Sequence, residues 1–385
     1  MMTERAYFDW NATAPLRPAA RAAMEAALSF TGNASSVHRE GRAARALVEK
    51  ARVELAALVG AEAKNVTFTS GGTEANMLAL TPALDVAGRK APRDRLFVSA
   101  IEHPSVRSGG RFPSVEELPV SADGVVDIAT LEQRLARAEH PLVSVMLANN
   151  ETGVVQPIRE VAAIVHRAGG VLHVDAVQGA GRIPCDINTL SADLMTVSSH
   201  KLGGPQGAGA LIRRGEIHIA APLLTGGGQE RAQRAGTENV AAIAGFGAAA
   251  AEVTSTLASE ARRLSALRNG LEARIKALHP DVQIFGARAE RVANTTLFSV
   301  RGLKAETAVI AFDLNGIAVS SGAACSSGKV QPSHVLQAMG ITPELAAGAV
   351  RLSIGYSTTD EDVEKLLNAW TKVVSSLSKG RNIAA

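Results

Sequence analysis

From about residue 18 to residue 213, short apolar, β-favouring runs alternate with stretches of helical periodicity. This alternation restricts the fold more than any other feature of the chain. A helix between two strands carries the chain back over one face of a sheet, so repeating the unit builds a mostly parallel sheet with helices on both faces. Strands are predicted over residues 65–69, 95–100, 115–120, 142–147, 170–175 and 194–197, with a further apolar run at 210–212. The run 142–147 is almost continuously apolar, as expected of a strand buried on both faces. Helices are predicted from Pro18 to about Ser29, over 42–59, from Ser70 to about Val86, and over 127–137 and 158–168. Pro18 suits a first helical turn, and the second helix stops at Gly60.

Five predicted strands end in polar groups able to do chemistry: Gly72 and Thr73, His103, Asn150, Asp175, and the set Ser198, Ser199, His200 and Lys201. In open α/β sheets the ligand sits at the carboxyl ends of the strands, so groups scattered in sequence would converge there. Lys201 reads either as a solvated surface lysine or as an amine that forms a Schiff base with an aldehyde. The Gly-Gly-Thr turn between a strand and a helix presents backbone N–H groups to an anion, although many such turns are only caps. His103 suits a cap, or an imidazole beside a ring or a migrating proton. Asp175 follows an apolar run and needs a cationic partner there.

Beyond residue 213 come a polar, Gly-rich excursion (226–239) and one long Ala-rich helical pattern (240–278). A chain of 385 residues exceeds one ordinary domain. The expected division is a large domain at 16–257 and a smaller α+β domain made of 1–15 and 258–385. In the latter, strands are predicted at 292–300 and 350–354, and helices near 305–315, 332–339 and 360–375. Residues 378–385 read as a frayed tail. The balance of 40 basic and 37 acidic residues, with 3% aromatics, gives no reason to expect a nucleic-acid partner. No run approaches the roughly 18 uninterrupted apolar residues of a membrane span, so no membrane association is expected. No metal site is expected either. Two cysteines cannot form a disulfide framework, which suits the cytoplasm. Cys185 has apolar neighbours and reads as a small core residue. Cys325, set among Ser, Gly and Ala, reads as a mobile, accessible thiol.

Taken together, these stretches resemble the cysteine desulfurases of the NifS/IscS type, within the fold-type-I enzymes that use pyridoxal phosphate. The resemblance is carried by Phe8-Asp-Trp-Asn-Ala-Thr13, by Gly32 and Asn33 with Ser35, Ser36 and His38, and by Thr69-Ser-Gly-Gly-Thr-Glu-Ala-Asn76. It continues through Glu102-His103, Asn149-Asn-Glu-Thr-Gly153, His173-Val-Asp-Ala-Val-Gln178 and Ser198-Ser-His-Lys201. Further on it takes in Gly226-Gly-Gly-Gln-Glu-Arg231, Arg234-Ala-Gly-Thr-Glu-Asn239, Ser321-Gly-Ala-Ala-Cys-Ser-Ser327 and Arg351-Leu-Ser-Ile-Gly355. Ala34 stands where relatives commonly carry proline, and Gly72 where many carry alanine; neither change removes a reacting group.

The resemblance implies a role for each site residue. Lys201 would hold the cofactor covalently and move protons, Asp175 would pair with the pyridinium nitrogen, and His103 would stack on the ring. Asn150 and Gln178 would bond the ring oxygen. Gly72, Thr73, Ser198 and His200 would hold the phosphate, and Ser199 would also belong to the cofactor-binding set. Thr237 would reach the phosphate of a neighbouring subunit, which implies a homodimer. Arg351, helped by Asn33, would bind the carboxylate of L-cysteine. Cys325 would take the sulfur as a persulfide, release L-alanine, and pass the sulfur to acceptor proteins such as an iron–sulfur scaffold. The alternatives are a selenocysteine lyase, another lyase or aminotransferase of the same fold, or a catalytically silent docking partner.

Overall fold

A computed structural model of the protein describes residues 5–29, 31–88, 92–322 and 332–383. Among these, seven strands form the central sheet, in the spatial order Val66–Thr69, Gly209–Arg213, Leu194–Ser198, Val171–Asp175, Leu142–Ser144, Leu96–Ser99, Val115–Leu118. Only Gly209–Arg213 runs against its two neighbours; the remaining pairs are parallel. The expected mostly parallel sheet is therefore present.

Period-two alternation explains how both faces are covered. Phe97, Val143, Leu172, Met195, Val197 and Ile212 point into one core, shared with the helices Arg39–Leu58 and Ile158–Arg167. Leu96, Val98, Leu142, Val171, Leu194 and Leu211 point into the opposite core, with Ala75 and Leu78 of the helix Gly72–Ala79. On the first face the helices Pro18–Leu28 and Arg39–Leu58 both pack on the long helix Val240–Leu278. That helix is long and apolar enough to cross a membrane, yet half of its most apolar window is buried inside the protein, as in a core helix.

The same helix runs from one core to another. Its residues from Ala242 to Val253 join the sheet core. Leu264, Leu271 and Ile275 join a second core with Phe8, Phe298, Phe312 and Trp370. This second unit holds an antiparallel sheet of Gln283–Ile284, Thr295–Ser299, Val350–Ser353 and Ser320–Ser321, backed by the helices Ala305–Leu314 and Asp360–Ile383. The N-terminal strand Ala6–Tyr7 pairs in parallel with Ile317–Ala318, tying the start of the chain to it.

Three elements differ from expectation. The C-terminal helix, expected to end near 375, continues to Ile383 over residues expected to form a frayed tail. The helix predicted to reach Val86 ends at Ala79. Pro82 disfavours helical backbone in the residue before it, and Leu84–Val86 instead pairs antiparallel with Ile217–Ile219. The strand expected over 142–147 has regular pairing only to Ser144, although the Val145 and Leu147 N–H groups still donate to the His173 and Asp175 carbonyls. Cys185 is buried, and burial pushes its thiol up to about 12, so it is an inert core residue as expected.

Candidate active site

At the carboxyl edge of the sheet, under the second unit, lies a cavity of about 560 Å³. Lys201, Asp175, His103, Asn150, Gln178, Gly72, Thr73, Ser198 and His200 line it from the sheet side, and Arg351 from the other. A larger open cleft, about 850 Å³, runs between the long helix and the start of Asp360–Ile383. It collects none of the strand-end groups, and its Arg263 is satisfied by the carbonyls of Gly355, Tyr356 and Thr358.

Lys201 ends a one-turn helix that follows strand Leu194–Ser198. Its Nζ donates to the carbonyls of Asn11 (2.6 Å) and Ala12 (2.7 Å). Burial, with the like charges of Arg182 and Arg351, pushes the amine down to about 7. A substantial fraction is thus neutral near physiological pH, the state in which an amine attacks a carbonyl.

Asp175 is buried at the end of its strand. Its Oδ2 accepts from Asn76 Nδ2 (2.9 Å) and its Oδ1 from the Val177 N–H (3.0 Å). Those two donors hold the carboxylate in one orientation but are uncharged; among the described residues no cation pairs with it, and a pyridinium would supply one. His103 caps the short helix after strand Leu96–Ser99. Its Nδ1 accepts from the Ser105 N–H and contacts Ser105 Oγ at 2.7 Å, so the neutral ring carries its proton on Nε2. Burial holds His103 below the usual histidine range, against the opposing pull of Asp175.

Gln178 donates from Nε2 to the Asn11 carbonyl (3.0 Å), and its Oε1 accepts from Arg182. Burial and the charges of Lys201 and Arg182 push His200 down to about 4, and its Nδ1 lies 3.2 Å from Thr13 Oγ1. Gly72 opens an eight-residue helix, and its first two residues, Gly72 and Thr73, line the cavity. A Cβ on Gly72 would meet Val177 Cγ2 at 3.0 Å and Ser198 Cβ at 3.4 Å, so glycine lets the helix start sit close against these strand ends. Thr73, Ser198 and His200 continue from the cavity into an adjoining recess lined by Ser70, Gly71 and Gly207.

Arg351 is almost wholly buried. Its Nη2 donates to Asp9 Oδ1 (2.7 Å) and its Nη1 to the Asn150 carbonyl (3.1 Å), while Nε has no partner among the described residues. A buried donor without an acceptor is costly, and a ligand carboxylate would satisfy it.

Three anticipated residues are not brought into the cavity by this chain. Ser199 is buried on the other side of the turn: side chains alternate after Ser198, and its Oγ faces Gly204, where a Cβ would lie 2.3 Å away. Asn33 is exposed, its Oδ1 accepting from the Ser35 N–H (2.9 Å). Thr237 is exposed on the excursion. Cys325 lies outside the described residues; Ser320 and Ser321, on the strand before it, line the cavity. Sequence reasoning assigned no role to Asp9, Asn11, Asn76 or Arg182. The first three sit inside quoted motifs, but only the folded chain shows which group each one holds.

The donor set suits a planar, phosphate-bearing aldehyde. There is one neutral amine to bond it, one oriented carboxylate for a ring nitrogen, and one glycine recess at a helix start for the phosphate. The residues present therefore fit pyridoxal phosphate.

A family model described as aminotransferase class-V matches residues 6–366. The chain is 38% identical over 384 residues to the cysteine desulfurase IscS of Dictyoglomus turgidum, covering 98% of this chain and 96% of that protein. It is 40% identical to a cysteine desulfurase of Cereibacter sphaeroides, over 97% of both. Among solved structures, a NifS-like protein from Rickettsia africae superposes with a TM-score of 0.88 at 36% identity, over 97% of this chain and 100% of the other.

Proposed function

The chain belongs to the class-V aminotransferase family, among its cysteine desulfurases, and from that premise we propose how its residues release sulfur from L-cysteine. The enzyme depends on pyridoxal phosphate, which when bound supplies an electron sink that weakens bonds at the α- and β-carbons of an attached amino acid. The observation that carries the reading is the convergence of Lys201, Asp175, His103 and Arg351, from two lobes, on one cavity.

Arg351 binds the carboxylate of cysteine through its unpartnered Nε and guanidinium edge. Lys201, near-neutral because it is buried beside two arginines, takes and returns protons at the substrate carbon. Asp175 stabilises positive charge on the ring nitrogen. His103 would lie against the ring, with its own proton on Nε2. Gly72, Thr73, Ser198 and His200 receive the phosphate; His200 does so as a neutral donor. Asn150 and Gln178 would bond the ring oxygen. The Cys325 thiolate then attacks the substrate sulfur. The new S–S bond forms as the Cβ–S bond breaks, a proton reaches the carbon, and L-alanine leaves while the enzyme keeps the persulfide.

We extend the reading to a division at 16–257 against 1–15 with 258–385. We also infer a homodimer in which Thr237 reaches the partner's phosphate, transfer of sulfur to an iron–sulfur scaffold or similar acceptor, and a reducing compartment such as the cytoplasm. A selenocysteine lyase or another lyase of this fold is not favoured. Mass spectrometry after incubation with cysteine should find one added sulfur on Cys325. Cys325→Ala should retain the cofactor and lose sulfide release; normal turnover by that variant would overturn the role of this thiol.

A further inference from the structure

The helix Gly72–Ala79, whose start is read above as the phosphate cradle, carries an acid in its first turn, Glu74. A carboxylate there competes for the same N–H groups and repels an incoming phosphate. In this structure it does neither freely. Glu74 Oε2 accepts from the Ser70 N–H at 2.8 Å, and its carboxylate is gripped by Arg234, with Nε to Oε1 at 2.8 Å and Nη2 to Oε2 at 3.3 Å. Burial alone would raise the acid; Arg234 and the Ser70 N–H bring it below the usual carboxylate range.

Arg234 comes from the excursion 226–239, which has no regular structure beyond one short turn. That turn is strained: Glu230, Arg231 and Ala232 have φ of 46°, 56° and 61°, left-handed values that residues with a Cβ avoid. It persists because Glu230 is locked inside the protein. Its carboxylate takes Arg52 Nη1 at 2.7 Å, Arg52 Nη2 at 2.8 Å and the Phe68 N–H at 2.9 Å. Phe68 belongs to the strand that leads into the Gly71–Gly72 turn, so the excursion clasps the cradle at both ends.

We infer that Arg234 is a positioning residue that sets affinity for phosphate-bearing ligands by neutralising Glu74 at the cradle. The inference rests on the placement of the phosphate at Gly72. Its test uses full-length chain freed of cofactor and titrated with pyridoxal phosphate, with pyridoxal, which lacks the phosphate, and with inorganic phosphate as competitor. Arg234→Gln should weaken pyridoxal phosphate about tenfold, as expected for one uncompensated charge at the rim of a half-buried site, and leave pyridoxal within about twofold. Arg234→Lys should keep most of the preference, and Glu74→Gln with Arg234→Gln should restore much of it. Equal losses for both ligands, a double variant as weak as Arg234→Gln, or Arg234→Gln failing to fold while Arg234→Lys binds normally without any preference would overturn the inference. Equal wild-type affinity for the two ligands would instead overturn the phosphate placement itself.

Discussion

Lys201 illustrates how a surface-type residue becomes a reacting group. Its stem and amine are drawn under the second lobe, its hydrogen bonds go to two carbonyls, and the like charges of half-buried Arg182 and buried Arg351 act on it. An ordinary lysine is almost wholly protonated until about pH 10. Here the neutral form should dominate above about 7. Modification of cofactor-free enzyme by a small amine-directed reagent should therefore show one fast site, Lys201, with a rate midpoint near pH 7. Replacing Arg182 with glutamine should raise that midpoint, because removing a like charge favours the ammonium. A midpoint near 10 in the wild type would refute the electrostatic account. The sign extends to stability. The folded form binds fewer protons at Lys201 than the unfolded chain between about 7 and 10.5, so this group's penalty is present at low pH and is relieved as pH rises through that window.

At the scale of elements, the site depends on strand Gly209–Arg213 running against its neighbours. Gly209 lies opposite Thr69 and Ser198, between the glycine turn and the Lys201 strand. A Cβ on Gly209 would lie 2.4 Å from the carbonyl carbon of Gly71 and 2.6 Å from its Cα, and backbone cannot yield as a flexible side chain would. Gly209→Ala should therefore displace the cradle, costing roughly 1–3 kcal/mol in urea unfolding and lowering pyridoxal phosphate affinity. Unchanged cofactor affinity would show that the turn is not held by this contact. Gly207, at φ +78° with open space around it, needs its glycine for backbone freedom alone.

For the whole molecule, the exposed position of Thr237 is the observation to test. If it completes a partner's site, the protein should run at twice the chain mass in light scattering. Thr237→Ala chains should then retain cofactor weakly. Mixing them with Lys201→Ala chains should recover partial cysteine desulfurase activity, since each chain supplies what the other lacks at one shared site. Mixtures no more active than either parent would argue for independent sites.

Strand and helix alternation was legible because side-chain periodicity is local: two for strands, 3.6 for helices, with Pro and Gly as punctuation. The polar strand ends were legible for the same reason, and a parallel sheet must bring its carboxyl ends together. Local pattern could not show orientation. Ser198 and Ser199 are neighbours of identical chemistry, yet one lines the cavity and the other is buried against Gly204, because a single peptide step reverses the side chain. Nor could it show partners. Asn76 holds Asp175 across 99 positions, and Asp9 holds Arg351 across 342. The sequence by itself determined which elements form and which chemistry sits at their ends. The tertiary structure alone decided which charge faces which, because hydrogen bonds and screened Coulomb forces act over a few ångströms of space whatever the separation along the chain.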